Sequence, residues 1–158
     1  MYREVAAGRG FLRWIGVRPG VNNCAWASVM MPMDLLDTHV YGLIGDDGFR
    51  RLVAAFYRRV PGDDILGPMY EGRDLADAEW RLREFLVGRF GGPDRYVQKR
   101  GHPRLRKRHD PFAIDRAGRD RWVKLMSEAM EEVELPAEAV PLLRRFFDEA
   151  ATFMINRG

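Results

Sequence analysis

The sequence predicts an all-α fold. Apolar residues recur at helical spacing in successive segments, and Asp, Gly and Pro punctuate the segment ends. Neither strand-like alternation nor an internal repeat occurs. A length of 158 residues fits one domain with a sizeable core, and 46% apolar with 31% charged residues is ordinary for a globular protein.

Residues 1 to about 33 carry Gly8, Gly10, Gly16, Pro19, Gly20 and Pro32 and show no sustained period, so they read as an irregular extension. Met30, Met31 and Met33 lie where it ends. Translation starting there would make the extension a gene-boundary artefact. From residue 34, Leu35, Leu36, Val40, Leu43 and Ile44 predict a short helix ending at Gly45, with Asp46 or Asp47 capping the next. That second helix carries Phe49, Leu52, Val53, Phe56 and Val60 on one face and stops at Pro61-Gly62. Asp63-Asp64 read as turn residues. Asp74 caps a third helix with the stripe Leu75, Ala78, Leu82, Phe85 and Leu86, ended by Gly91-Gly92-Pro93.

Between Asp94 and Pro111 lies a basic stretch with room for at most a short helix from Pro103. Asp115 caps a helix bearing Trp122, Leu125, Met126, Ala129, Met130 and Val133, and Pro136 punctuates it. A last helix from about Ala137 buries Val140, Leu143, Phe147, Ala150, Ala151 and Met154. Helices joined by one long irregular link leave space that a prosthetic group would fill.

Charge and cysteine usage exclude several classes. The net charge of +3 is too small to argue for a polyanionic partner. The single Cys24 supports no disulfide framework, and one cysteine with three histidines builds no ordinary all-protein zinc site. A reducing, cytoplasmic compartment follows. No run of 18 apolar residues exists, so neither a membrane span nor a signal peptide is read. No nucleophile triad, phosphate loop or cysteine motif is found.

The three histidines are the candidate metal ligands, and their contexts differ. His39 reads as a surface or capping residue. His102, between Gly101 and Pro103, reads as a turn residue. His109 ends the basic segment just before Pro111-Phe112, where a chain reversal would hold the imidazole beside an aromatic ring. The run Lys99, Arg100, Arg104, Arg106, Lys107, Arg108 admits a solvated face, a phosphate-binding surface with Tyr96 stacking on a base, or a lining for the carboxylates of a cofactor. Its compactness next to His109 favours the carboxylates. Tyr57, Tyr70 and Trp122 combine a large ring with a polar handle on otherwise apolar faces. Each alone reads as a core aromatic, whereas together they could offer three donors to one pocket.

Phe56-Tyr57, Tyr70, Gly91-Gly92-Pro93, Tyr96, Arg100-Gly101-His102-Pro103-Arg104-Leu105, Arg108-His109, Pro111-Phe112 and Trp122 occur in an order and spacing that resembles the group II truncated, two-on-two haemoglobins. The resemblance runs from about Val40 to the end. It implies an N-terminal extension over 1–37 and a truncated globin domain over 38–158, folded as a two-on-two helical sandwich around haem b (iron protoporphyrin IX). It further implies His109 as the proximal iron ligand. Tyr57, Tyr70, Ala78, Leu82 and Trp122 would line the distal pocket, with Ala78 where many globins place a distal histidine.

By the same resemblance Arg81 and Arg108 would contact the haem propionates, and Phe85, Tyr96, Leu105, Phe112 and Met126 would pack around the porphyrin. The implied function is binding of O2, with NO and CO, and O2 release slow enough to suit redox chemistry or sensing better than delivery. An unidentified reductant is implied as partner, with no nucleic acid and no membrane, and the chain as monomer or homodimer. A peroxidase-like or NO-detoxifying activity is the alternative within this class. A small nucleic-acid module through residues 99–108 is the alternative outside it. Phe90 stands where the group often has tryptophan, and Gly45-Asp46 stands where it often has paired glycines.

Overall fold

The computed structural model describes residues 39–158; residues 1–38, with Cys24, the predicted extension and Leu35 and Leu36 of the first predicted helix, lie outside the described residues. Helix α1 covers Val40–Arg59, α2 Gly67–Tyr70, α3 Leu75–Arg89, α4 Arg95–Arg100, α5 Leu105–His109, α6 Arg116–Glu132 and α7 Ala139–Met154, with a 3-10 turn at Val60–Gly62. No strand occurs among the described residues.

The break predicted at Gly45 is present as a kink inside α1, where φ is +62°. A side chain there would be strained, so glycine lets the chain turn sharply between two helical segments. The two acids beyond it do other work than capping. Asp46 accepts from the Tyr41 hydroxyl at 3.2 Å and pairs with Arg95, while Asp47 pairs with Arg50 and Arg51. The caps predicted downstream form. The Asp74 carboxylate accepts from the Asp77 N–H at 3.1 Å, and the Asp115 carboxylate from the Gly118 N–H at 2.8 Å.

Helix α1 packs on both α3 and α6, and α6 packs on α7, so two helix pairs face each other across one core. That core is Phe49, Leu52, Val53 and Phe56 of α1, Leu86 and Val87 of α3, Met126, Ala129 and Met130 of α6, and Leu143 and Phe147 of α7. A charged node closes one edge: Glu84 is buried on α3, and Arg83 and Arg95 both bind its carboxylate, with Arg95 reaching Asp46 as well.

The basic stretch is more regular than its composition suggests, holding two short helices. Helix α4 precedes the predicted start at Pro103, and α5 begins two residues after it. Between them Gly101 and Arg104 both have positive φ, +70° and +41°.

Asp63 carries a fold-level prediction. One carboxylate oxygen accepts the backbone N–H groups of Ile65 and Leu66, at 3.0 and 2.8 Å, and the other pairs with Arg121 of α6. This turn starts the segment that delivers Tyr70. Burial works to raise the Asp63 pKa, but the hydrogen bonds from Leu66, Arg121 and Ile65 outweigh it and hold it below the usual carboxylate value. A lowered folded pKa stabilises the fold above the unfolded value of about 3.9, and the contribution fades as pH falls through the folded value. Asp63→Ala should therefore cost about 1–2 kcal/mol in urea unfolding at pH 7. The gap to the parent should shrink below about pH 4; a gap independent of pH would refute this role for the carboxylate.

Candidate haem site

His109 is the last residue of α5 and half-buried. Its Nδ1 lies 2.7 Å from the Leu105 carbonyl, one turn back on the same helix. A carbonyl only accepts, so Nδ1 carries the proton there and Nε2 keeps its lone pair. The ring lies 6.2 Å from that of Phe112, and the Arg73 guanidinium covers the Phe112 face at 4.4 Å. The other two histidines are placed as expected from the sequence. His39 is exposed before α1, and the His102 Nδ1 accepts the Arg104 N–H at 3.1 Å within the turn.

Tyr57, Tyr70 and Trp122 gather at one end of α1. The Tyr57 and Tyr70 rings meet edge-on at 5.8 Å, and Phe56 touches both Tyr57, at 5.1 Å, and Trp122, at 5.3 Å. Phe147 supports the indole from α7 at 5.7 Å. Burial, and then the neighbouring Tyr70, pushes the Tyr57 pKa far above its ordinary value; burial raises that of Tyr70. Both phenols thus stay protonated at neutral pH and act as donors.

Ala78 is buried on α3, and Leu82 and Phe85 follow on that helix, half-buried. Phe85 meets the buried Tyr96 of α4 at 6.0 Å. Leu105 and Phe112 are half-buried, and Met126 is fully buried in α6. Arg81 pairs with Asp77 one turn earlier. Arg108 donates to the carbonyls of Pro103, Arg100 and His102, at 2.8, 3.0 and 3.4 Å, tying together the loop between α4 and α5. Lys99, Arg100, Arg104, Arg106 and Lys107 are all exposed. A shallow groove of about 390 Å³ lies elsewhere, between α6 and α7; of the predicted site residues only Met126 lines it.

The donor set fits haem. Among the described residues no cluster of three His, Cys, Asp or Glu side chains could hold a metal by itself, whereas one imidazole with a fixed tautomer suffices for an iron carried by a porphyrin. Leu82, Phe85 and Leu105 are apolar side chains incompletely covered by protein, each open to contact with a flat apolar group. The turn expected at Asp63-Asp64 is present, with the Arg121 pairing added from α6, whereas Asn156, whose side chain bonds the carbonyls of His109 and Phe112, has no counterpart among the residues singled out from the sequence. Asn156 belongs to no local pattern.

The model of the bacterial-like globin family matches residues 39–156. The chain is similar to the group 2 truncated hemoglobin YjbI of Bacillus subtilis (strain 168), with 35% identity over 117 residues, covering 74% of this chain and 88% of that protein. Among solved structures, hemoglobin from the thermophilic phototrophic bacterium Chloroflexus aurantiacus superposes with a TM-score of 0.72 at 41% identity, covering 75% of this chain and 98% of that one. The truncated oxygen-avid haemoglobin from Bacillus subtilis gives a TM-score of 0.71 at 35% identity, covering 74% of this chain and 98% of that one.

Proposed function

Since this chain belongs to the bacterial-like globin family, a haem-binding family, we propose that it carries haem b on His109, binds O2 on the opposite face, and releases it slowly. The observation that carries this reading is the His109 tautomer: Nδ1–H is committed to the Leu105 carbonyl, so Nε2 is the atom left to meet iron. Bound haem would supply a ferrous centre for O2, NO or CO. On the ligand side Tyr57, Tyr70 and the Trp122 indole are the hydrogen-bond donors, and Ala78 and Leu82 the apolar wall. The solved relative described as oxygen-avid supports slow release here.

Of the two arginines assigned to the propionates, Arg81 is the more available. Its i, i+4 pair with Asp77 is worth only about 0.3–0.5 kcal/mol and is readily exchanged for a propionate. Arg108 holds three backbone carbonyls, so its contribution includes shaping the loop ahead of α5.

Strong donors suit redox chemistry or sensing better than delivery, and they would polarise NO-derived species or peroxide as well. Turnover needs a reductant that these residues do not supply. A cytoplasmic location accords with the reading, and no helix of the described residues is long and apolar enough to cross a membrane. The nucleic-acid alternative loses its stacking platform, since Tyr96 is buried.

The test is the visible spectrum of the protein purified from haem-supplied cells. A strong Soret band that shifts when the ferrous protein takes up CO is expected. A colourless protein that haemin cannot reconstitute would overturn the proposal; salt-sensitive oligonucleotide binding would then be measured across residues 99–108.

A further inference from the structure

Beyond α7 the chain turns at Ile155 into extended backbone and lays Asn156 against the segment that follows His109. The contact is dense for one residue. The Asn156 carboxamide oxygen accepts the Ile114 N–H at 3.0 Å, and its nitrogen donates to the carbonyls of Phe112, at 2.9 Å, and His109, at 3.3 Å. The backbone N–H groups of Asn156 and Arg157 both donate to the Ile114 carbonyl, at 2.9 and 3.1 Å.

Helix α5 needs such help. It has five residues, no buried residue and no side-chain cap, too little to stand alone. Its start is held by Arg108 on the Pro103 carbonyl and its end by Asn156 on the His109 carbonyl. Arg106 of α5 also lies over the Phe153 ring of α7, at 5.5 Å. The His109 imidazole is thus fixed twice, by Leu105 through its ring and by Asn156 through its own backbone.

We propose that Asn156 is a positioning residue for the proximal ligand: its carboxamide clamps residues 109–114 to the end of α7 and thereby sets the direction in which His109 Nε2 points. The inference rests on the reading of His109 as iron ligand. It also ties the proximal side to the helix whose Phe147 supports Trp122. The chemistry requires a carboxamide. Aspartate keeps the acceptor for the Ile114 N–H but loses both donors and sets a carboxylate against two carbonyl oxygens. Alanine loses all three side-chain bonds while keeping those made by the backbone.

The experiment compares the haem-loaded parent, Asn156→Ala, Asn156→Asp and, as control, Arg157→Ala, whose side chain takes no part in the clamp. Three quantities are read: the iron–histidine stretching band of the ligand-free ferrous protein by resonance Raman, the rate of haem loss to an excess of apomyoglobin, and deuterium uptake over residues 109–114. In both Asn156 variants the band should shift and broaden, haem loss should rise about tenfold, and uptake should increase, with the control unchanged. If the Ala variant does not fold, Asn156→Asp alone decides.

A lower melting temperature with an unmoved band and unchanged haem loss would reduce Asn156 to a structural residue and overturn the proposal. Failure of the underlying ligand reading looks different: in His109→Gly the parent's band would then persist without added imidazole.

Discussion

Replacing His109 with alanine is expected to strip the protein of its normal haem spectrum: the Soret band of the purified variant should be lost or displaced, and free imidazole should partly restore it. The expected effect is large because no other described histidine is available. His39 is exposed ahead of α1, and His102 has its Nδ1 occupied by the Arg104 N–H inside a turn. Loss of an outer-shell partner of a metal ligand costs roughly 10- to 100-fold in affinity, and loss of the ligand itself should exceed that. Imidazole rescue separates this from unfolding. The His109 side chain is only half-buried on a five-residue helix, so its removal leaves the core of α1, α3, α6 and α7 intact and far-ultraviolet circular dichroism should be unchanged. A variant with the parent's Soret band, in the ferric form and in the ligand-free ferrous form, would remove His109 from the iron.

How much of this was legible in the sequence depended on the range of the interactions. Asp74 and Asp115 act on N–H groups three residues away, so their caps could be read directly, and the glycine kink at Gly45 follows from one residue's freedom. Helices α2 and α4 could not be read this way. The sequence Gly67–Tyr70 is one turn started from outside by Asp63, and Arg95–Arg100 buries only Tyr96, so neither shows an apolar period.

The site follows the same division. The bond from His109 to Leu105 is an i−4 contact that follows once α5 is known to be helical. The resemblance, rather than periodicity, assigned roles to His109, Tyr57, Tyr70 and Trp122, because the meeting of the last three depends on ring contacts between α1, α2 and α6 that no local spacing encodes. Asn156 reaches His109 across 47 positions, and nothing near either residue announces the other.

The second large effect concerns release of O2. Trp122→Phe should raise the O2 dissociation rate at least about tenfold, since a hydrogen bond to a ligand bearing partial negative charge is worth about 1.5–3 kcal/mol. Phenylalanine keeps an aromatic ring between Phe56 and Phe147, so the indole N–H is the main loss. Tyr57→Phe should also speed release, but by less than a full donor, because Tyr57 and Tyr70 interact and the remaining hydroxyl can turn towards the ligand.

Combined, Trp122→Phe and Tyr57→Phe should depart from the product of the singles, because both groups would donate to the same bound ligand, and Tyr57→Phe with Tyr70→Phe should exceed the product of the singles. Because burial lifts both tyrosines above their ordinary value of about 10, neither loses its proton near neutrality, and the parent's release rate should be flat from about pH 6 to 9. Stopped-flow displacement of O2 by CO measures all of these rates. An unchanged rate in Trp122→Phe would take the indole out of the donor set, and a rate that climbs steeply towards pH 9 would show that a group ionising in that range, rather than a buried phenol, holds the ligand.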